Sequence, residues 1–182
     1  TVTITDSTFI GNQAIAGDGG VGPAFGRGGG LYNTAGTVTV ENSTFLGNLA
    51  RGGSNTTRGG AIVALAGGAG LFNAADGILL VTGSTFTGNQ ALAGSNNTST
   101  GGNGFLGSAF GGGLNNVGTA TITDSLFEDN EARGGSGNRG DGISFQFVGT
   151  GIASLAAAVL RVCGALGIEL THADAEEVRG GM

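Results

Sequence analysis

Apolar and polar residues alternate in four short stretches that share one wording. VTITDSTFIGN begins at Val2, VTVENSTFLGN at Val38, LLVTGSTFTGN at Leu79 and ATITDSLFEDN at Ala120. In the first, Val2 and Ile4 fall on one face and Thr1, Thr3 and Thr5 on the other. That period of two predicts a half-buried strand. Five residues after the inward column of Ile4, Val40, Val81 and Ile122 stand Phe9, Phe45, Phe86 and Phe127. The phenylalanines are 36, 41 and 41 residues apart. A period of that size predicts stacked repeats rather than a core of distinct elements.

Two further apolar columns follow in each repeat. One is a small-then-large pair, Ala24-Phe25, Ala64-Leu65 and Ala109-Phe110. The other closes a glycine run: Leu31 in GGGLYN, Leu71 in GAGLFN and Leu114 in GGGLNN. In the fourth repeat SFQFVGTGIAS fits both, with Phe147 and Ile152. Three columns predict three faces around one core. The corners between them need Gly or Asn, which tolerate positive φ. Asn12, Asn48, Asn89 and Asn130 are expected to stack as one amide ladder, and Asn33, Asn73 and Asn116 as another.

Gly/Ser/Asn-rich stretches follow the first ladder: AIAGDGGVG, RGGSNTTRGG, AGSNNTSTGGNG and RGGSGNRGDG. They are expected to be loops leaving one corner on one side of the stack. About four coils at the usual strand spacing make a stack roughly 19 Å tall. The repeats occupy residues 1–152. From 153 to 182 the pattern changes to a stripe of Leu155, Val159, Val162 and Leu166, with Thr171 placed to cap HADAEEVR. This predicts a helical segment covering the last coil, against the alternative of a degenerate fifth coil.

Composition narrows the function classes. Glycine supplies 41 of 182 residues, yet hydrophobic residues reach 39%, enough to bury a core. Net charge is −6, and the seven basic residues are all scattered Arg. Neither nucleic-acid binding nor membrane insertion is expected from that pattern. The apolar run from Ile152 to Leu166 is shorter than a membrane span and contains Arg161. A single cysteine, Cys163, excludes an internal disulfide. The chain starts at Thr1 inside a strand, which suggests a mature product or an excised piece and leaves the first strand edge open to head-to-tail stacking.

The words FIGN, FLGN, FTGN and FEDN follow the pattern F-x-x-N, and GGAI spans Gly59 to Ile62. With their near-constant spacing these resemble the repeats of chlamydial-type polymorphic outer membrane proteins and other bacterial extracellular parallel β-helix repeats. The resemblance covers about residues 1–152. It implies an all-β, right-handed parallel β-helix of the pectin-lyase type, secreted or displayed on a bacterial cell surface, often adhesive. GGAI occurs once, with GGGL or GAGL elsewhere, and no barrel sequence follows in these residues.

Candidate chemistry is sparse. Asp124, Glu128, Asp129 and Glu131 form the densest acidic group and are the candidate calcium ligands, set against a solvated charged corner. No catalytic residue or cofactor is assigned. His172, the sole histidine, supports no triad. Arg139-Gly140-Asp141 is an integrin-type tripeptide that chance explains in so glycine-rich a chain. Asn42, Asn55, Asn96 and Asn97 match the glycosylation pattern and are read as corner and loop residues. The expected role is a non-enzymatic structural or adhesive solenoid. It would partner itself through the open edge, or a surface glycan or protein through the loops after Asn12, Asn48, Asn89 and Asn130. A polysaccharide lyase or hydrolase is the alternative. An ice-binding β-helix is a second, because outward Thr-x-Thr columns are what that surface needs, although Ile78, Leu80 and Glu41 interrupt them.

Overall fold

The computed structural model describes residues 1–59, 63–101 and 105–140, and the backbone of 148–150. Among these residues all regular structure is β, in strands that stack repeat on repeat. The first sheet runs Val2–Thr5, Leu31–Glu41, Leu71–Thr82, and then Leu114–Asn116 and Thr119–Thr123 side by side on the last of these. The second stacks Thr8–Ile10, Thr44–Leu46, Thr85–Thr87 and Leu126–Glu128. The third stacks Gln13–Ile15, Leu49–Arg51, Gln90–Leu92 and Glu131–Arg133. Gly26–Arg27, Ala66–Gly67 and Ala109–Phe110 form a fourth, and Thr57–Arg58 with Thr98–Ser99 a fifth. All these pairings are parallel. The chain is therefore a parallel β-solenoid.

The wide end of the cross-section holds the large side chains. Phe9, Phe45, Phe86 and Phe127 stack with ring centroids 4.6 Å apart and planes 3° from parallel. That separation is the strand spacing itself, so the rings follow the backbone. Val38, Val40, Leu71, Leu79, Val81 and Leu114 pack around them, fully or almost fully buried, with Ile4, Leu31 and Ile122 at the margins. The narrow end is alanine alone: Ala50, Ala66, Ala69, Ala91, Ala109 and Ala132. Only small residues allow the third and fourth sheets to come this close. At Gly26 even a methyl would run into the backbone of Arg51.

Three expectations are corrected. First, the Leu31/Leu71/Leu114 column is not a separate face. Leu31 and Val40 lie on one continuous strand, as do Leu71 and Val81, with the backbone turning at Gly36 (φ 80°) in the first and a register shift between Asn73 and Asp76 in the second. Second, the small-then-large column slips in the third repeat. Ala109 pairs with Ala66, and Phe110 with Gly67, two positions from the expected partners Ala64 and Leu65. The alanine core selects the small residue at that height and leaves the phenylalanine outside it. Third, the one described part of SFQFVGTGIAS, Val148–Thr150, lies antiparallel on Glu131–Arg133 rather than parallel to it. Phe147, Ile152 and the expected helical segment 153–182 lie outside the described residues.

Candidate functional site

Polar ladders run through the stack beside its apolar core. In each repeat the Asn after the phenylalanine turns its amide inward. Asn12 donates from its backbone N–H and its Nδ2 to Oδ1 of Asn48, at 2.9 and 3.0 Å. Asn48 does the same to Asn89, and Asn89 to Asn130. The second Nδ2 hydrogen binds the phenylalanine carbonyl of the preceding repeat: Asn48 to Phe9, Asn89 to Phe45, Asn130 to Phe86. Buried amides are thereby fully partnered, which is what burial demands. Asn33, Asn73 and Asn116 form the second ladder through Nδ2-to-Oδ1 bonds of 2.8 and 2.7 Å.

These asparagines do not take the corner conformation expected of them. The residue before each does: Gly11, Gly47, Gly88 and Asp129 have φ of 61°, 60°, 63° and 51°. A second corner column is Asp6, Asn42, Gly83 and Asp124, with φ between 48° and 59°. Gly and Asp or Asn are the residues that adopt this region at least strain. Between these corners a serine ladder escaped the sequence reading. The backbone N–H groups of Ser7, Ser43 and Ser84 each donate to the hydroxyl of the next serine at 3.1 Å. Each hydroxyl donates in turn to the carbonyl two residues earlier. The signal was present: Ser, like the closing Asn, is unchanged in all four words.

The glycine-rich stretches are not free loops. Thr56 and Asn97 donate their backbone N–H groups to Oδ1 of Asn97 and Asn138. Ser95 and Ser136 donate theirs to the hydroxyls of Ser54 and Ser95. Backbone bonds such as Asn55 to Ser95 and Asn96 to Ser136 join the same steps. In the first repeat Asp18 replaces the serine and accepts from Ser54 N–H at 2.7 Å and from Arg51 at 2.8 and 2.9 Å. The Ser54 bond first, then Arg51, holds the Asp18 carboxyl below the usual carboxylate range. Asn42, Asn55 and Asn96 sit at positive φ, and Asn97 is buried in its ladder.

The acidic group divides between these features. Asp124 and Asp129 are the corner residues of the last described repeat. Glu128 pairs in register with Thr87 on the outer face of the second sheet. Glu131 pairs with Gln90, accepts from its amide at 3.3 Å and lies 3.5 Å from Arg133 Nε. Corner geometry and cross-strand pairing account for these positions, and among the described residues no three acidic, His or Cys side chains converge. Arg139 is bonded through its backbone to Asn97 and Ser99. Asp141, Cys163 and His172 lie outside the described residues. The outward threonine columns keep their expected registers, with Ile78 and Leu80 exposed among them.

The ladders have direction. The Asn and Ser ladders at the wide end send their N–H groups from earlier repeats to oxygens of later ones. At the first-repeat edge the Oδ1 of Asn12 accepts from no described residue, and Val2, Ile10 and Ile15 are more than half exposed. At the other end, the backbone N–H groups of Ser125 and Asn130 have no acceptor among the described residues. The two ends are complementary in hydrogen-bond polarity. No protein-family model matches the chain, and no curated protein or solved structure is significantly similar to it.

Proposed function

We propose that this chain is a non-enzymatic structural or adhesive element outside a bacterial cell or on its surface, built as a right-handed, pectin-lyase-like β-helix of about four coils with a helical cap over 153–182 that leaves the Ser125 and Asn130 corners of the last coil uncovered. In this reading copies associate head to tail through the first-repeat edge. The observation that carries it is the polarity of the asparagine ladder. At Asn12 and Ser7 that edge offers the side-chain oxygens and the second Asn12 Nδ2 hydrogen, which match the N–H groups of Ser125 and Asn130 and the Phe127 carbonyl of a last repeat, as the same groups match between successive repeats within the chain. Exposed Val2, Ile10 and Ile15 add apolar area to that contact. The surface location and adhesive role rest on the resemblance of the F-x-x-N repeats.

Light scattering across a concentration series, with negative-stain images of the same samples, tests the assembly. Mass should rise with concentration, and Asn12→Leu should shift that rise to higher concentration. A mass that stays at one chain throughout, or assemblies indifferent to Asn12→Leu, would overturn it.

A further inference from the structure

Residues that the stack needs recur at one register position in every repeat. One cluster does not recur. Arg27 pairs in register with Gly67, and Gly67 with Phe110, so this column changes its chemistry at each step. The Arg27 guanidinium carbon lies 4.7 Å from the centroid of Phe25 and 5.3 Å from that of Phe72. Phe72 is buried, and its ring lies over Gly67, where a methyl would press against it. Tyr32 meets Phe72 edge to face at 5.0 Å and is 42% exposed. Arg27 makes no hydrogen bond or ion pair with any described residue, and its Nε is buried without a partner.

Two aromatic contacts cover guanidinium surface without satisfying its N–H groups. Those groups lie in the guanidinium plane, in the fork that matches a carboxylate. Tyr32 beside it offers an exposed ring with a hydroxyl at its tip, a surface suited to a ligand with both an apolar face and polar edges. A purely structural Arg would be expected to recur with the ladders or to bond an oxygen of the protein, as Arg51 bonds the Asp18 carboxylate. We infer that Arg27, Phe25, Phe72 and Tyr32 form a binding site for a carboxylated saccharide, with the carboxylate on Arg27 and the sugar ring against Tyr32. This names a ligand class for the adhesive part of the proposed function and does not depend on assembly.

Tyr32 is the only tyrosine and the chain has no tryptophan, so intrinsic fluorescence reports on this site. The full chain, kept dilute, is titrated with a glucuronate-containing disaccharide, a sulfated disaccharide and a neutral one. Binding of the glucuronate probe should change the Tyr32 signal and weaken with added salt. Arg27→Gln should lower its affinity at least about tenfold, since a charge-assisted pair is lost. Should Arg27→Gln not fold, Arg27→Lys keeps the charge and loses the fork, and should also weaken binding. No response to the glucuronate probe, equal binding of the neutral one, tighter binding of the sulfated one, or unchanged affinity in the Arg27 variant would each overturn the assignment. Because binding is read on dilute protein, its failure is separable from failure of the assembly.

Discussion

The side-chain oxygen of Asn89 accepts both N–H groups that Asn48 points toward it, from the backbone at 3.0 Å and from the amide at 2.8 Å. One side chain thus closes the corner of the repeat before its own. The same Asn89 donates to the Phe45 carbonyl, tying the polar ladder to the ring stack beside it. A strand edge would otherwise leave these backbone groups unpaired at the turn, in a place water does not reach.

Truncating that amide should be costly. Asn89→Ala strands the backbone N–H of Asn48 and one hydrogen of its amide, and removes the amide bonds to the Phe45 carbonyl and Asn130 Oδ1, all in or beside the core. A loss of more than about 2 kcal/mol is expected in urea unfolding, since each buried unpaired group costs about 1 to 3 kcal/mol. Asn12→Ala, at the exposed edge, should cost less. Equal losses would mean the ladder does not carry the corner.

The phenylalanine stack makes a graded prediction. Phe86 is fully buried between two rings, and Phe86→Ala should cost about 3 to 5 kcal/mol. Phe9 has one ring neighbour and is only partly buried, so Phe9→Ala should cost less. A Phe86→Ala loss below about 1 kcal/mol by denaturant titration would remove the stack from the core.

Two glycines should respond oppositely. A methyl on Gly94 would overlap the Gly53 carbonyl oxygen, so Gly94→Ala should prevent folding or destabilise the chain severely. Gly88 has open space around it and φ of 63°, and the same corner is occupied by Asp129 in the next repeat. Gly88→Asn should therefore fold with its melting temperature nearly unchanged. Thermal melts followed by circular dichroism compare the two directly.

Asp18 sets an acid dependence. Its carboxyl is held below its unfolded-state value by Ser54 N–H and Arg51, so the charged form is favoured on folding. The resulting stability is present above the unfolded-state value and is lost as pH falls through the lower, folded one. Carbon-detected NMR should place the Asp18 midpoint below that of the same residue in a short peptide. In Asp18→Asn the acid side of the stability curve should flatten. A midpoint matching the peptide would mean that the Ser54 and Arg51 bonds are absent in solution.

Phe45, Asn48 and Leu71 were readable because each repeats a distinctive residue at fixed distance from a strand pattern. The alternation fixed faces, and the period implied stacking. Ala109 departs from the register of the small-then-large pairs because the narrow core selects any small residue at its height and tolerates Phe110 outside, so the pair itself does not set the register. The glycine-rich steps were read as loops for a similar reason. Ser54, Ser95 and Ser136 recur at 41 residues, but backbone and short polar side chains hold them together, and hydrophobic patterning is blind to those bonds. Arg27 had no such signal at all. Phe25 and Arg27 are near each other in sequence, but Phe72 reaches Arg27 only because one repeat lies on another.

Since every step bonds only to the steps beside it, the molecule has no natural size. A tandem copy of residues 49–89 would insert one more Phe into the ring stack, and one more residue into each of the two Asn and two Ser ladders that already accept their like. Reach can therefore change by gene duplication alone, in increments of one strand spacing. A site such as that around Arg27, confined to one step, would keep its chemistry while being carried nearer to or farther from whatever holds the other end.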